Sequence, residues 1–217
     1  MKSFKHWKFE EVEDAFGLTR VKQLDRLTNW MNVDVDDIPK EKRVRLEQLR
    51  ANLWNWIDYW NEEEIKVYFM GPLLLEVEFG DSGYRGFWER SLSVAVAEGV
   101  TSGIVDFMLA KGRQIPKAPY FCIHEYKPEV NVTNDPIGQL LIAMVAAQAE
   151  NAKAGRTELA IYGSYTIGRN WYFVVLDGNK YAISNALNAT QEEVYTIFQI
   201  LQKTSNYADV VAENDGH

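Results

Sequence analysis

The sequence has very little of the chemistry that holds small secreted or zinc-dependent proteins together. It has one cysteine, Cys122, and three histidines in 217 residues. A single cysteine forms no intrachain disulfide, and so few scattered thiols and imidazoles give no zinc site. A glycine-rich loop that cradles phosphate is missing as well. The fold must therefore rest on its hydrophobic core.

Long apolar runs and an excess of positive charge are also absent. The longest apolar runs, Val67 to Leu75 and Leu140 to Ala147, are far shorter than the roughly 20 residues that cross a bilayer, so we expect no membrane segment. The opening MKSFKHWKFE lacks the apolar stretch of a secretion signal, which favours a cytoplasmic protein. With 23 basic and 31 acidic residues the net charge is −8. Any contact with a polyanion must be local.

What the sequence does contain is typical of one compact domain with an extra lobe. It is 47% hydrophobic and 25% charged, and a core of this length buries most of its apolar surface. Apolar residues at three- and four-residue spacing predict helices through the first 60 residues. We expect a helical N-terminal lobe at residues 1–60 that binds a second copy or another protein, or shapes a groove. Trp54, Trp56 and Trp60 could stack on bases there, but their helical spacing favours core packing.

The remaining pattern alternates between helical and extended segments. Asn61 can cap a helix that opens with three glutamates, Glu62 to Glu64, and stays apolar to Phe79. This order predicts an α/β class with a mixed central sheet flanked by helices. The predicted strands are 87–97, 103–110, 120–127, 159–168, 171–176 and 180–184; the predicted helices are 136–152 and a last one ending near Lys203, followed by a loose tail at 205–217.

Two of the predicted strands bring acidic side chains together. If strands 103–110 and 120–127 form a regular antiparallel hairpin, Asp106 lies opposite Glu125, and Met108 lies opposite Ile123. Lys127 shares the face of Glu125, because residues two apart on a strand point the same way. Like charges opposed at about 5 Å destabilise a sheet. The two carboxylates therefore predict a site for a hard cation such as Mg²⁺ or Mn²⁺, which would relieve the repulsion.

A plainer interpretation exists for each of these residues. Asp106, Glu125 and Lys127 could form a solvated salt-bridge cluster, although polar residues among apolar neighbours on strands need a reason. The three glutamates could simply favour a helix N-terminus. His124 alternates to the face opposite Glu125, which predicts a packed core histidine.

These residues and the order of elements resemble the PD-(D/E)XK nuclease superfamily, whose core runs helix, three strands, helix, strand. Asp106 matches the first acid, and Glu125-Tyr126-Lys127 match the second acid, the spacer and the lysine. The helix before the strands is similar to the opening of the nuclease domain of type I restriction motor subunits. There a glutamate, a basic residue and a proline recur at the spacing of Glu62, Lys66 and Pro72. The chain also resembles uncharacterised bacterial proteins assigned to this superfamily.

The resemblance implies a restriction-endonuclease-like core at residues 61–204 and metal-dependent hydrolysis of phosphodiester bonds, in DNA more than in RNA. Asp106, Glu125 and the carbonyl of Tyr126 would hold Mg²⁺ or Mn²⁺. Lys127 would orient water and stabilise charge on the phosphate. Glu62 would act as a third acid.

Further residues follow from the same resemblance. Gln139 lies where many members carry a glutamine motif and is a candidate supporting residue, although Ala143 stands where several relatives have tyrosine. Lys111, Arg113 and Lys117 lie in the loop between the two acid-bearing strands. They could contact the nucleic-acid backbone, or they could serve only loop solubility. The rival to a nuclease is a catalytically idle nuclease-like fold that works as a binding or assembly module.

Overall fold

The structure, a computed structural model, describes residues 2–78, 83–97, 99–127 and 134–213. It confirms the predicted class: the chain is mixed α/β, with a central mixed sheet flanked by helices. The helices are α1 (Phe9–Phe16), α2 (Asp25–Met31), α3 (Lys40–Trp56), α4 (Glu62–Ile65), α5 (Gly71–Glu76), α6 (Pro136–Lys153) and α7 (Glu193–Glu213). The strands are β1 (Thr19–Arg20), β2 (Tyr84–Val96), β3 (Gly99–Lys111), β4 (Lys117–Lys127), β5 (Ile161–Ile167), β6 (Asn170–Asp177), β7 (Lys180–Ile183) and β8 (Leu187–Asn188).

The sheet runs in the order β1-β7-β6-β5-β4-β3-β2, and β8 pairs with β6. Strands β4 and β5 are parallel, as are β1 and β7, and the other pairs are antiparallel. Because parallel neighbours need a crossover, α6 carries the chain from the end of β4 back to the start of β5. Strand β2 forms one edge of the sheet.

A hydrophobic core lies on each face of the sheet. One contains Trp30, Leu53, Phe69 and Phe173, contributed by helices α2 and α3, by the segment between α4 and α5, and by β6. The other packs the Ala-rich α6 and residues from the first turn of the chain, such as Phe4, against the sheet. Gly103 on β3 admits this close approach, because a Cβ there would lie 2.3 Å from the Cβ of Phe4. The first 60 residues therefore share both cores with the rest of the chain.

The elements differ from the sequence prediction in two places near the N-terminus. Residues Thr19 and Arg20, expected within helices, form β1 instead, because the chain after Gly17 pairs with β7. Helix α4 and helix α5 are joined by a π-helical segment, Lys66–Met70, and the predicted end of this helix at Phe79 lies outside the described residues. None of the helices in the described ranges is long and apolar enough to cross a membrane.

The last helix is longer than predicted. It runs to Glu213 rather than ending near Lys203, so most of the segment expected to be loose is helical. The extension is anchored: Trp30 Nε1 donates to Thr204 Oγ1 at 2.9 Å, and Ser205 Oγ donates to the carbonyl of Glu78 at 2.6 Å. Residues 214–217 of the predicted tail lie outside the described residues.

The predicted core packing of the tryptophans in and after α3 is wrong for two of the three. Trp54 is 57% exposed and Trp56 is 52% exposed, whereas Trp60 is partly buried against the core. The buried stripe of this helix consists of Leu46 and Leu53. Trp54 and Trp56 fall beside that stripe, in the last turn of the helix.

Candidate active site

The hairpin formed by β3 and β4 has the predicted register in the pairs next to the acidic residues. Met108 pairs with Ile123 and Phe107 pairs with His124, and continuation of this register by one residue would set Asp106 opposite Glu125. Towards the turn the register shifts at Leu109 and Ala110, so the regular loop that we assumed is not present. The irregularity lies on the far side of Met108 and leaves the acidic pair in place.

The Asp106 carboxylate is fixed from two sides. The backbone N–H of Tyr126 donates to Oδ2 at 2.8 Å, and Nζ of Lys66 lies 2.8 Å from Oδ1. The first contact comes from the neighbouring strand and the second from the π-helical segment. Asp106 therefore joins the helix and the hairpin at one point.

Lys66 lies at the centre of a group of carboxylates. Besides Asp106, its Nζ lies 2.9 Å from Oε1 of Glu89 and 3.3 Å from Oε1 of both Glu62 and Glu63. Burial disfavours its charged form, but Asp106, Glu89 and Glu62 outweigh burial and raise the pKa of Lys66. These carboxylates therefore favour the charged form of Lys66.

Glu125 and Lys127 form the second close acid–lysine contact of the site. Nζ of Lys127 lies 2.7 Å from Oε1 of Glu125 and 3.8 Å from Oε2 of Glu62. Glu62 thus bridges both lysines, one with each carboxylate oxygen. We refer to Glu62, Lys66, Asp106, Glu125 and Lys127 as the carboxylate–lysine cluster.

Burial of four of its five members excludes the solvated salt-bridge interpretation of Asp106, Glu125 and Lys127. Asp106 is 6% exposed, Glu125 1%, and Lys66 and Lys127 8% each. Burial and then the nearby Asp106 charge raise the pKa of Glu125 to about 8, although Lys127 opposes this. Charged groups this deep are expensive unless they are paired or bind an ion. The cluster is a concentration of perturbed acids and bases of the kind that marks functional sites.

Two residues that contact the site were not assigned a role from the sequence. Lys66 appeared only as the basic residue of a spacing pattern, and its contact with Asp106 depends on how the helix packs on the sheet. Nothing in the sequence indicates a role for Glu89. The β2–β3 ladder passes from Trp88–Phe107 to Arg90–Val105 and skips Glu89, whose φ of 51° is in the left-handed region. Strain of this kind at a non-glycine residue costs about 1–3 kcal/mol and tends to occur at functional sites.

The three glutamates at the start of α4 have different roles. Glu62 joins both lysines, Glu63 lies beside Lys66, and Glu64 accepts from the backbone N–H of Asn61 at 2.8 Å as part of a capping box. The helix-terminus interpretation therefore holds for Glu64, and Glu62 is the one that faces the cluster.

Other residues predicted for the site lie away from it. Gln139 is buried on α6 with an Oε1 that has no hydrogen-bond partner within the described residues, and it lines a separate cavity of about 460 Å³ with Lys5 and Ser102. Lys111 and Lys117 pair across the hairpin near its turn. That turn is five residues along β3 from Asp106, or about 17 Å.

His124 is a packed core histidine, as predicted. It is 2% exposed, its Nδ1 is hydrogen-bonded to Ser164 Oγ, and its ring lies 5.3 Å from that of Phe107. Burial lowers the pKa of His124 to about 3. Its imidazole is therefore neutral and structural.

The donor set for a metal ion is small. In the described part of the chain, no group of three or more His, Cys, Asp or Glu side chains could hold a metal ion.

Comparison of the sequence with protein-family models and with curated proteins gave no match. The cluster itself is therefore the strongest indication of function.

Proposed function

We propose that the chain is a metal-dependent nuclease of the PD-(D/E)XK type that hydrolyses phosphodiester bonds, in DNA more than in RNA. The observation that carries this proposal is the convergence of Asp106 and Glu125 from adjacent strands with Lys127 beside them, all less than one-tenth exposed. Two acids and a lysine with this spacing are the set that the superfamily uses.

The order of elements supports a restriction-endonuclease-like core. Between Glu62 and Ile167 the chain runs through the α4–α5 helical segment, three antiparallel strands, α6 and then β5. This is the helix, three strands, helix, strand order of the superfamily. The acids lie on the second and third of these strands, as the resemblance requires.

The residues fit Mg²⁺ or Mn²⁺, which take one or two carboxylates and complete their coordination with water. Asp106 and Glu125 would supply the carboxylates, and the Tyr126 carbonyl would add a third ligand. Lys66 must first release Oδ1 of Asp106. It can do so without losing its charge partners, because Glu62, Glu63 and Glu89 still surround it.

The remaining residues have roles around the scissile phosphate. A bound ion would polarise the phosphate and lower the pKa of a water molecule. Lys127, held by Glu125 and Glu62, would place its ammonium against the charge that develops on the phosphate. Glu62 would keep both lysines oriented. Each of these roles uses a polar contact that is already present in the protein.

Lys111, Arg113 and Lys117 would contact the nucleic-acid backbone at a distance from the cut. Lys111 and Lys117 oppose each other across the hairpin, and an anion between them would relieve the repulsion. Nucleic acid that lies along the hairpin for about 17 Å covers roughly five phosphates of one strand, at about 3.4 Å each. The loop would then act in binding rather than in chemistry.

One observation favours the rival, a catalytically idle binding module. Lys66 and Lys127 already provide two cations to the buried carboxylates. A nuclease-like fold that had lost its metal could be stabilised in this way.

A cleavage assay separates the two. Labelled single-stranded DNA, duplex DNA and RNA are incubated with the protein in Mg²⁺, Mn²⁺ or chelator. We expect cleavage in metal only, most on DNA, abolished by Asp106→Asn and unaffected by Asp177→Asn, a control acid in an exposed ion pair with Arg26. Nucleic-acid binding without cleavage in any metal would instead support the binding module.

A further inference from the structure

A cavity of about 710 Å³ opens beside the cluster, between the α4–α5 segment and the edge strand β2. Glu63, Lys66 and Glu89 form its charged end. Leu75, Trp88 and Phe107 belong to its apolar walls. The cavity thus begins at the ion pairs that hold Asp106 and continues into an apolar space, large enough for one or two nucleotides or a drug-sized ligand.

A glycine and two aromatic rings pack closely in the wall of this cavity. Gly86 on β2 lines it, and a Cβ at that position would lie 2.5 Å from the ring of Phe107. The half-buried ring of Trp88 meets Phe107 edge-on, with centroids 5.1 Å apart. At the rim, Leu75 is 84% exposed. Val67, which also lines the cavity, is 62% exposed, and apolar residues exposed together beside a cavity indicate a ligand-binding surface.

We propose that this cavity binds an unstacked base of the strand whose phosphate lies at the cluster, so that the substrate is single-stranded or has unpaired ends. The inference rests on the proposed nuclease function. An aromatic and aliphatic space suits a base, since every base has a π-face that stacks on aromatic side chains.

Charge along the hairpin suits the strand that would follow. Arg85 lines the same cavity, and Lys111 lies on the neighbouring strand, opposite Tyr84. Basic side chains therefore extend from the cavity to the turn that carries Arg113 and Lys117. A base in a duplex cannot enter the cavity without leaving its stack, which is why the site selects unpaired strands.

The test is oligonucleotide binding by fluorescence anisotropy, with Ca²⁺ and again in chelator. The probes are a single strand of about eight nucleotides, its duplex, and the same strand with abasic positions. We expect the wild type to bind the intact strand about 5- to 100-fold more tightly than either of the others. Trp88→Ala should remove that difference, and Trp54→Ala, an exposed tryptophan on α3, should keep it.

A rim variant guards against misfolding of Trp88→Ala. Leu75→Glu should also weaken binding of the intact strand, whereas Val44→Glu, at an exposed apolar residue of α3, should not. Equal binding of intact and abasic strands by the wild type overturns the proposal. So does a Leu75→Glu variant that binds normally but changes a dimer into a monomer, because the cavity then holds a second copy.

The outcomes also separate this inference from the nuclease proposal. If the protein binds intact strands more tightly than abasic strands but never cleaves, the cavity proposal is supported and the nuclease proposal is rejected. If the protein cleaves in metal but shows no preference for intact single strands, the nuclease proposal is supported and the cavity proposal is rejected.

Discussion

Lys66 Nζ lies 2.8 Å from Oδ1 of Asp106, so a cation of the chain itself contacts the carboxylate that we propose as a metal ligand. The metal and Lys66 must therefore compete for one oxygen atom. This competition, together with the burial of the two acids, sets how the protein should respond to metal, pH and substitution.

Removing Lys66 should destabilise the metal-free protein and increase the stabilisation that metal provides. Lys66→Met leaves Asp106 buried without its cation, and loss of one partner from a buried pair costs about 3 kcal/mol of unfolding free energy. Thermal melts in chelator and in Mn²⁺ measure both effects. Lys42→Met, which breaks a different ion pair at Glu78, is the control and should show the wild-type metal shift. A wild-type shift in Lys66→Met as well would mean that Lys66 and the metal share no ligand.

Metal should stabilise the wild type through Asp106. At about 100 times the dissociation constant, Mg²⁺ or Mn²⁺ should raise the unfolding free energy by roughly 2.7 kcal/mol, or a few degrees in Tm. Asp106→Asn should show much less of this shift, and Asp177→Asn all of it. If Asp106→Asn shifts as far as the wild type, Asp106 is not a ligand.

Metal affinity should rise with pH between about 6 and 8, because metal ligands bind in deprotonated form. The pKa of Glu125 is raised to about 8, chiefly by burial and then by Asp106. Below that pH the metal must displace a proton, and affinity should fall about tenfold for each pH unit. Titration calorimetry at pH 7 in two buffers of different ionisation enthalpy should show release of nearly one proton. Glu125→Gln should bind weakly and release none.

The raised pKa of Glu125 has the opposite effect on folding without metal. The folded protein keeps a proton that the unfolded chain loses above its ordinary pKa of 4.5. The contribution of Glu125 to stability is therefore fully present below pH 4.5 and is lost as the pH rises to about 8. Chemical unfolding of wild type and Glu125→Gln in chelator measures it. A wild type that loses no stability relative to the variant over this interval would contradict the assignment.

Lys127 should matter for cleavage more than for metal binding. Lys127→Met keeps the aliphatic stem but removes the ammonium, and loss of one group that stabilises transition-state charge lowers kcat by about 10²- to 10³-fold. Titration calorimetry should still detect metal binding by this variant. Lys153→Met, at an exposed lysine paired with Glu150, should cut at the wild-type rate. Unchanged cleavage by Lys127→Met would refute the mechanism.

The hairpin loop should act by neutralising phosphates. Replacing Lys111, Arg113 and Lys117 with Gln should reduce the slope of log affinity against log salt by about 0.7 for each single-strand phosphate that the loop no longer neutralises. The control replaces three exposed lysines elsewhere, Lys40, Lys153 and Lys180. Salt titrations of DNA binding measure both slopes. Equal slopes in the two triple variants would show that the loop has no specific role in binding phosphates.

The sequence was sufficient to predict the acidic pair because strand periodicity and hairpin pairing are local. The alternation of apolar residues around Asp106 and Glu125 identified both strands and placed Met108 against Ile123. Helix α6 followed equally well from its capping residue, Asp135, and its small side chains. Most strands were found for the same reason.

What the sequence could not show depends on packing between distant segments. The approach of Lys66 to Asp106 is decided by how a helix settles on the sheet, and the left-handed Glu89 has no pattern of its own. A two-residue strand such as β1 exists only because β7 is there to pair with it. The exposed Trp54 has the same spacing as a core residue, so periodicity alone could not separate the two.

The hairpin register that buries Met108 and Ile123 also decides which residue Asp106 faces. A slip of one residue would move Met108 to the opposite face of the sheet, away from the core in which it packs, and would set Asp106 opposite His124. The acidic pair and the apolar pair therefore depend on the same register. Substitutions in the core that loosen this register would separate the two acids without changing either of them. Conversely, selection for a well-packed sheet is enough to keep the two acids close together, whether or not a descendant uses them.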